Sequence, residues 1–235
     1  PAVREALLAA YRRHLSPTGV GYVSYNTLPG WYGRAAVRDA MLFHTRNGTD
    51  PADRVAAARS VAAFLAGAAA DPDGLYARGL KEEAELIARE ADHYLFHEHL
   101  EPNNDPVYFR DFAAAAARHG LQFLGESGDK RRADRLPADT RAAVAAAADT
   151  LVDREQYYDF LLNRAFRKTL LCHADVTVPR RPGPGVLDLL ASAGVKPTAP
   201  RPDVRSDAAV EFASVDGDTM ATNIPAVKAA LVALC

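Results

Sequence analysis

The chain has 235 residues, 49% of them hydrophobic and 25% charged, with a formal net charge of −2 at neutral pH. That is the balance of a folded globule, and without a global basic field there is nothing to neutralise a phosphate backbone, which argues against nucleic acid as a partner. Apolar runs are broken by Arg, Asp or Gly well before the roughly 20 residues that cross a bilayer, so no membrane partner is expected. Two cysteines, Cys172 and Cys235, cannot build a disulfide framework, and a reducing, cytoplasmic setting is the expectation. The start at Pro1 without a leader pattern and the stop at Cys235 inside an apolar helical pattern read as cuts from a longer protein.

Val3, Leu7, Tyr11 and Leu15 recur every four residues, with Leu8 beside them, and predict an amphipathic helix up to the turn at 16–19. The β-branched and aromatic run 20–26 then predicts a strand, expected to pair in parallel with strands from outside this chain. From Trp31 to His119 the periodicity is helical, with stops at 47–48, 71–74 and 102–104, which makes four helices. Asp50 and Asp105 each precede a proline and are expected to cap two of them. The last of the four ends at Gly120, and 121–126 predicts a second strand. Helices follow over 138–148 and, from a capping-box spacing of Asp153 and Gln156, through Leu162. A third strand is predicted over 167–173. The Pro- and Gly-rich stretch 179–185 predicts a linker, and beyond it 210–213, an Asp216-Gly217 turn and 219–221 predict a hairpin ahead of a final helix.

The densest functional candidate is the end of the first strand and the turn after it, because ligands of α/β sheets gather at the carboxyl ends of strands. There the amide of Asn26 and the hydroxyl of Tyr25 could orient a polar substrate, and Trp31 could wall an apolar or cationic group. The competing reading is structural: Asn26 satisfies turn backbone groups while Tyr22, Tyr25 and Trp31 pack the core.

Four ordered stretches carry a resemblance: Gly21–Trp31 (GYVSYNTLPGW) with Val37–His44, Phe96–Phe109 (FHEHLEPNNDPVYF), Arg118–Glu126, and Arg154–His173. Together they resemble the regulatory-domain family of prokaryotic S-adenosylmethionine-dependent methyltransferases, over roughly 3–178. The resemblance implies an α+β, predominantly helical chain. Residues 1–30 would form the edge of a class I methyltransferase sheet and 31–104 a helical regulatory insert. Residues 105–178 would supply the last two of three sheet strands, the final one antiparallel between its neighbours. After the linker 179–185, residues 186–235 look like part of a winged helix, as in bacterial protein-lysine methyltransferases. Glu98, Asn103 and Asp105 would then line the mouth of a substrate cleft with Tyr25, Asn26 and Trp31.

No Gly-x-Gly-x-Gly loop follows a strand in this sequence, so the chain is expected to hold no cofactor and to be inactive alone. S-adenosylmethionine would bind the catalytic domain of the same polypeptide, and a protein lysine is the expected acceptor by analogy. The alternative from another class is a non-enzymatic helical module that binds a protein.

Other chemistries have weaker signals. His93, His97 and Glu101 lie a turn apart on one helix face, but the zincin pattern lacks its second His and no Cys-x-x-Cys exists. Ser127 misses the nucleophile-elbow pattern, the basic run 130–132 reads as solvated surface, and Cys172 reads as a small buried hydrophobe.

Overall fold

A computed structural model describes residues 2–128, 133, 135–180 and 192–234. The basic run 130–132 and most of the linker lie outside the described residues. The chain separates into two compact units, Pro1–Val178 and Pro179–Cys235.

In the first unit the elements run α1 (Ala2–His14), β1 (Gly21–Asn26), α2 (Trp31–Thr45), α3 (Pro51–Ala68), α4 (Leu75–Arg89), α5 (Asp92–Glu98) and α6 (Phe109–Arg118). Then come β2 (Leu121–Glu126), α7 (Ala138–Ala147), α8 (Leu151–Leu161) and β3 (Phe166–His173). The three predicted strands form one sheet in the order β1-β3-β2, with β3 antiparallel to both. β1 and β2 therefore point the same way without touching. Among the described residues the strand paired with β1 is β3, antiparallel, which arrives by a reversal out of α8 through Asn163, whose φ is 45°. The sheet packs its core between α1 and α6 around Leu8, Val23, Phe112, Ala115, Leu121 and Leu171.

The region predicted as four helices holds five. The extra break falls at Glu90 and Ala91, both extended, and its cause lies far away in sequence. Arg59 of α3 donates to the carbonyl of Ile87, to that of Glu90 at 2.6 Å and to Asp92 Oδ1 at 2.7 Å, satisfying chain ends that would otherwise favour continuing the helix. Helices α2 to α5 bury a second core of Val37, Met41, Val55, Ala58, Leu80, Ile87, Leu95 and Leu100.

Asp50 caps α3 as predicted, its Oδ1 accepting from the amides of Ala52 at 2.9 Å and Asp53 at 3.0 Å. Asp50→Ala should cost about 1 kcal/mol, the ordinary value of a lost N-cap. Urea denaturation checks this, and a cost below a few tenths would mean that the proline after it suffices.

Asp105 is not a cap. The helix after it begins four residues later behind Tyr108, with no side-chain cap, because Val107 is drawn into a parallel bridge with Thr27 and Tyr108 stays extended. α8, by contrast, starts earlier than predicted. The reciprocal capping box is made by Thr150 and Asp153, with Thr150 Oγ1 accepting from the Asp153 amide at 3.1 Å and the Asp153 carboxylate from the Thr150 amide at 3.2 Å.

α1 is tied to α6 by Glu5, which takes Arg118 at 2.8 Å and His119 at 2.6 Å; these bonds hold its carboxyl below the usual range. Much of the predicted apolar face stays open: Val3 and Leu7 are exposed, as are Val20 just before β1 and Tyr22 within it. β1 is an edge strand, paired on one side only among the described residues.

The second unit holds β4 (Val195–Pro197), β5 (Val210–Ser214), β6 (Thr219–Thr222) and α9 (Pro225–Ala233). The strands form an antiparallel sheet in the order β4-β5-β6, with Gly217 at φ 89° in the predicted hairpin turn. Lys228 of α9 is fully buried, its ammonium donating to the carbonyls of Ser206 at 2.5 Å and Ala208 at 2.9 Å, so the irregular chain ahead of β5 is pinned to the helix. Among the described residues no helix is long and apolar enough to cross a membrane.

Candidate functional site

The carboxyl end of β1 meets the chain that leaves α5. Asn26 accepts from the Val107 amide at 3.2 Å, and the Val107 carbonyl accepts from Leu28 N at 3.1 Å and Thr27 Oγ1 at 2.7 Å. Backbone pairing thus fixes Val107 at the strand end, and side-chain bonds bring Glu98 and Asn104 to the same place. Asn26 Nδ2 donates to Glu98 Oε2 and to Asn104 Oδ1, both at 3.1 Å, while Asn104 Nδ2 donates to the Glu98 carbonyl at 3.0 Å. The two amides and the carboxylate close a ring that orients Glu98.

Beside this ring opens a cleft of about 300 Å3, whose walls include Ser24, Tyr25, Asn26, His97, Glu98, Glu101, Asn103, Asn104, Asp105 and Phe166. Three carboxylates and no lysine or arginine stand in that lining, so its field favours a cation. Arg4 approaches from outside, donating to the Asp105 carbonyl at 3.2 Å and reaching its carboxylate at 3.5 Å. Among the described residues no three His, Cys, Asp or Glu side chains gather as a metal site.

Of the residues singled out in the sequence, Tyr25, Asn26, Glu98, Asn103 and Asp105 come together at this cleft and Trp31 does not. Trp31 is 3% exposed, its ring 6.4 Å from the imidazole of His99. Tyr25 stands in the cleft wall, but its hydroxyl is already engaged. That hydroxyl bonds Thr169 Oγ1 at 3.1 Å, and the ring stacks on Phe112 at 4.2 Å; burial pushes the phenol above its ordinary range, so it stays protonated. Sequence reasoning missed Asn104, whose identity with the exposed Asn103 gave no local signal that one amide turns inward.

Directly opposite Tyr25 in the sheet register stands Arg167, fully buried. Its Nε and Nη2 grip both oxygens of Asp159 at 2.9 Å, Nη1 reaches Glu126 at 2.9 Å and Nη2 reaches Glu155 at 3.1 Å. The guanidinium lies 3.8 Å over the Phe109 ring. Burial raises the Asp159 carboxyl, with Arg167 and Arg164 pulling the other way. This network joins α8 and α6 to β2 and β3 and braces the floor under Tyr25.

Residues 91–173, which contain most of the cleft wall and the whole Arg167 network, match the family described as "Predicted methyltransferase regulatory domain". Among curated proteins, the uncharacterized protein RP789 of Rickettsia prowazekii (strain Madrid E) is 40% identical over 179 residues, 76% of this chain and 32% of that protein. RP028 of the same organism is 32% identical over 122 residues, 52% of this chain and 49% of that protein. Among solved structures, PKMT2 from Rickettsia typhi in complex with AdoHcy is similar with a TM-score of 0.76 and 29% identity, across 100% of this chain and 46% of that one. The family match and the likeness in fold both point to a methyltransferase regulatory domain. The family match takes in residues 91–173, and the chain spans about a third to a half of the length of these relatives.

Proposed function

We propose that this chain is the regulatory and substrate-recognition portion of an S-adenosylmethionine-dependent methyltransferase, and that the acidic cleft at the end of β1 receives a protein lysine. The observation that carries the reading is the carboxylate of Glu98, held in place by Asn26 and Asn104 at the carboxyl end of a sheet strand. Glu101 and Asp105 add negative charge at the same opening, which suits an ammonium-bearing side chain. Asn103 and Asp105, both exposed, would meet the acceptor's flanking backbone at the rim.

The cofactor does not fit here. No Gly-x-Gly-x-Gly loop follows a strand in this sequence to let a backbone approach a nucleoside. The methyl donor belongs in a catalytic domain of the same polypeptide, and the isolated chain is inactive. The open edge of β1 and the exposed apolar face of α1 are surfaces such a domain would cover. What these residues do is bind the acceptor, orient its nitrogen and keep water from it, the positioning work that a group transfer needs.

The test uses the longest natural protein that carries this chain, with a lysine-rich protein acceptor. Glu98→Gln keeps the bond from Asn26 and removes the charge, and should raise the acceptor KM about tenfold, the value of one charge-assisted hydrogen bond. The affinity for S-adenosylmethionine should not move. An unchanged acceptor KM, or equal turnover of acceptor whose lysines have been acetylated, would overturn the reading.

A further inference from the structure

One residue beyond Glu98, the helical insert buries a polar cluster that the cleft itself does not use. His99 is fully buried, and its Nε2 lies 3.2 Å from Oε1 of Glu83 on α4. Glu83 Oε2 lies 3.7 Å from Nε of Arg34 on α2, whose guanidinium stands 5.4 Å from the centre of the Trp31 ring. Trp31 of α2 and Tyr94 of α5 flank the imidazole, each with its ring centre 6.4 Å away. His99 Nδ1 has no hydrogen-bond partner. A neutral ring donating from Nε2 to Glu83 leaves at Nδ1 only an unused lone pair, which fits that geometry.

Burying such a pair among Val37, Met41, Leu95 and Leu100 costs desolvation that an apolar pair of similar volume would avoid. What a directional bond supplies and an apolar contact does not is a fixed position. His99 ends α5, its amide donating to Leu95 at 2.9 Å, and it opens the turn in which the Glu98 carbonyl accepts from Asn104. Arg38 of α2 grips the same turn from below through the Glu101 carbonyl. Glu98 is therefore held from one side by β1 and from the other by α2 and α4.

We propose that Glu83 and His99 are positioning residues for acceptor recognition, through which helices α2 and α4 of the insert set the placement of Glu98. The proposal rests on the reading of Glu98 as the acceptor contact. It gives the regulatory domain a physical handle: anything that shifts α4 against α2 reaches the cleft through the Glu83–His99 bond.

The experiment is a double-mutant cycle in the longest natural protein that carries this chain, read as acceptor KM, kcat and S-adenosylmethionine affinity. Glu83→Leu should raise the acceptor KM about tenfold and leave kcat and cofactor affinity unchanged. Glu83→Gln, which still offers His99 a carbonyl oxygen, should restore KM to within about twofold. In a Glu98→Gln background Glu83→Leu should add less than twofold, because the residue it positions is already disabled. Should Glu83→Leu fail to fold, Arg34→Met, at a partly exposed site, takes its place with an expected rise of about threefold that likewise disappears in the Glu98→Gln background. Additive effects on KM, a loss of kcat, or no rescue by Gln would overturn the proposal and leave the cleft reading intact. No response to Glu98→Gln itself would remove both.

Discussion

Arg167→Met should lower the stability of the first unit by roughly 3–5 kcal/mol at neutral pH, the cost of stripping one partner from a buried ion pair. Asp159 is fully buried and would lose both of its 2.9 Å bonds, and Glu126 would lose one. The loss should depend on pH. Burial already raises the Asp159 carboxyl in the native protein, and without Arg167 it rises further, whereas the unfolded chain keeps an ordinary aspartate. Between the ordinary value and the raised one the native state binds more protons, so stability falls as pH climbs through that window and levels off above it. Urea unfolding at pH 5 and pH 7.5 should therefore show a smaller deficit at the lower pH. A deficit below 1 kcal/mol, or one equal at both pH values, would mean that the network is dispensable or that Arg167 acts only by packing on Phe109.

Gly30→Ala should cost about 3 kcal/mol, at the upper end of the penalty for overpacking. The backbone at Gly30 is right-handed helical, with φ −58° and ψ −27°, so conformation is not the obstacle. Space is: a Cβ there would overlap the Asn163 carbonyl and the Arg164–Ala165 peptide, the chain that leads into β3. That neighbour is backbone, already bonded to Gly30 through its amide and the Arg164 carbonyl at 3.0 Å, and cannot swing aside as a side chain would. Gly33, three residues on, has nothing within 4 Å of its missing Cβ, so Gly33→Ala should instead stabilise α2 by up to about 1 kcal/mol. Thermal melts of the two variants should move in opposite directions. Matching shifts would show that the contact at Gly30 relaxes.

What could be read in the sequence follows from how local its cause is. The strands at 21–26, 121–126 and 166–173 were legible as short apolar runs, the first β-branched and aromatic between Gly19 and the turn at Pro29, the second set off by Gly120. The α3 start was legible because Asp50 and Pro51 act within one turn. Asp105 and Pro106 satisfied the same local rule and failed, since Thr27, some eighty positions away, claims Val107 for a bridge. The break at Glu90 and Ala91 depends on Arg59 from a neighbouring helix and leaves no trace in the pattern around it. At the cleft, Asn26 could be found from its place at a strand end and Glu98 from the family resemblance, whereas Asn104 is turned inward by a turn that only the tertiary fold defines. Trp31 shows the reverse: a large aromatic beside a strand end looks like a substrate wall, and its burial against His99 comes from helices it meets later in the chain.

The central place of β3 also sets an order of events during synthesis. β1 leaves the ribosome about 140 residues before the strand that will hold it, a wait on the order of ten seconds at ordinary elongation rates. Helices α2 to α5 emerge in that interval and can bury their own core through contacts close in sequence, which form fast. The insert is thus complete while β1, a strand with no lysine or proline to blunt its edge, still lacks its antiparallel partner β3 and offers that side to wrong partners. Such a nascent chain depends on its chaperones most in the stretch between α2 and β3, and slowing translation there would be expected to hurt yield more than slowing it anywhere downstream.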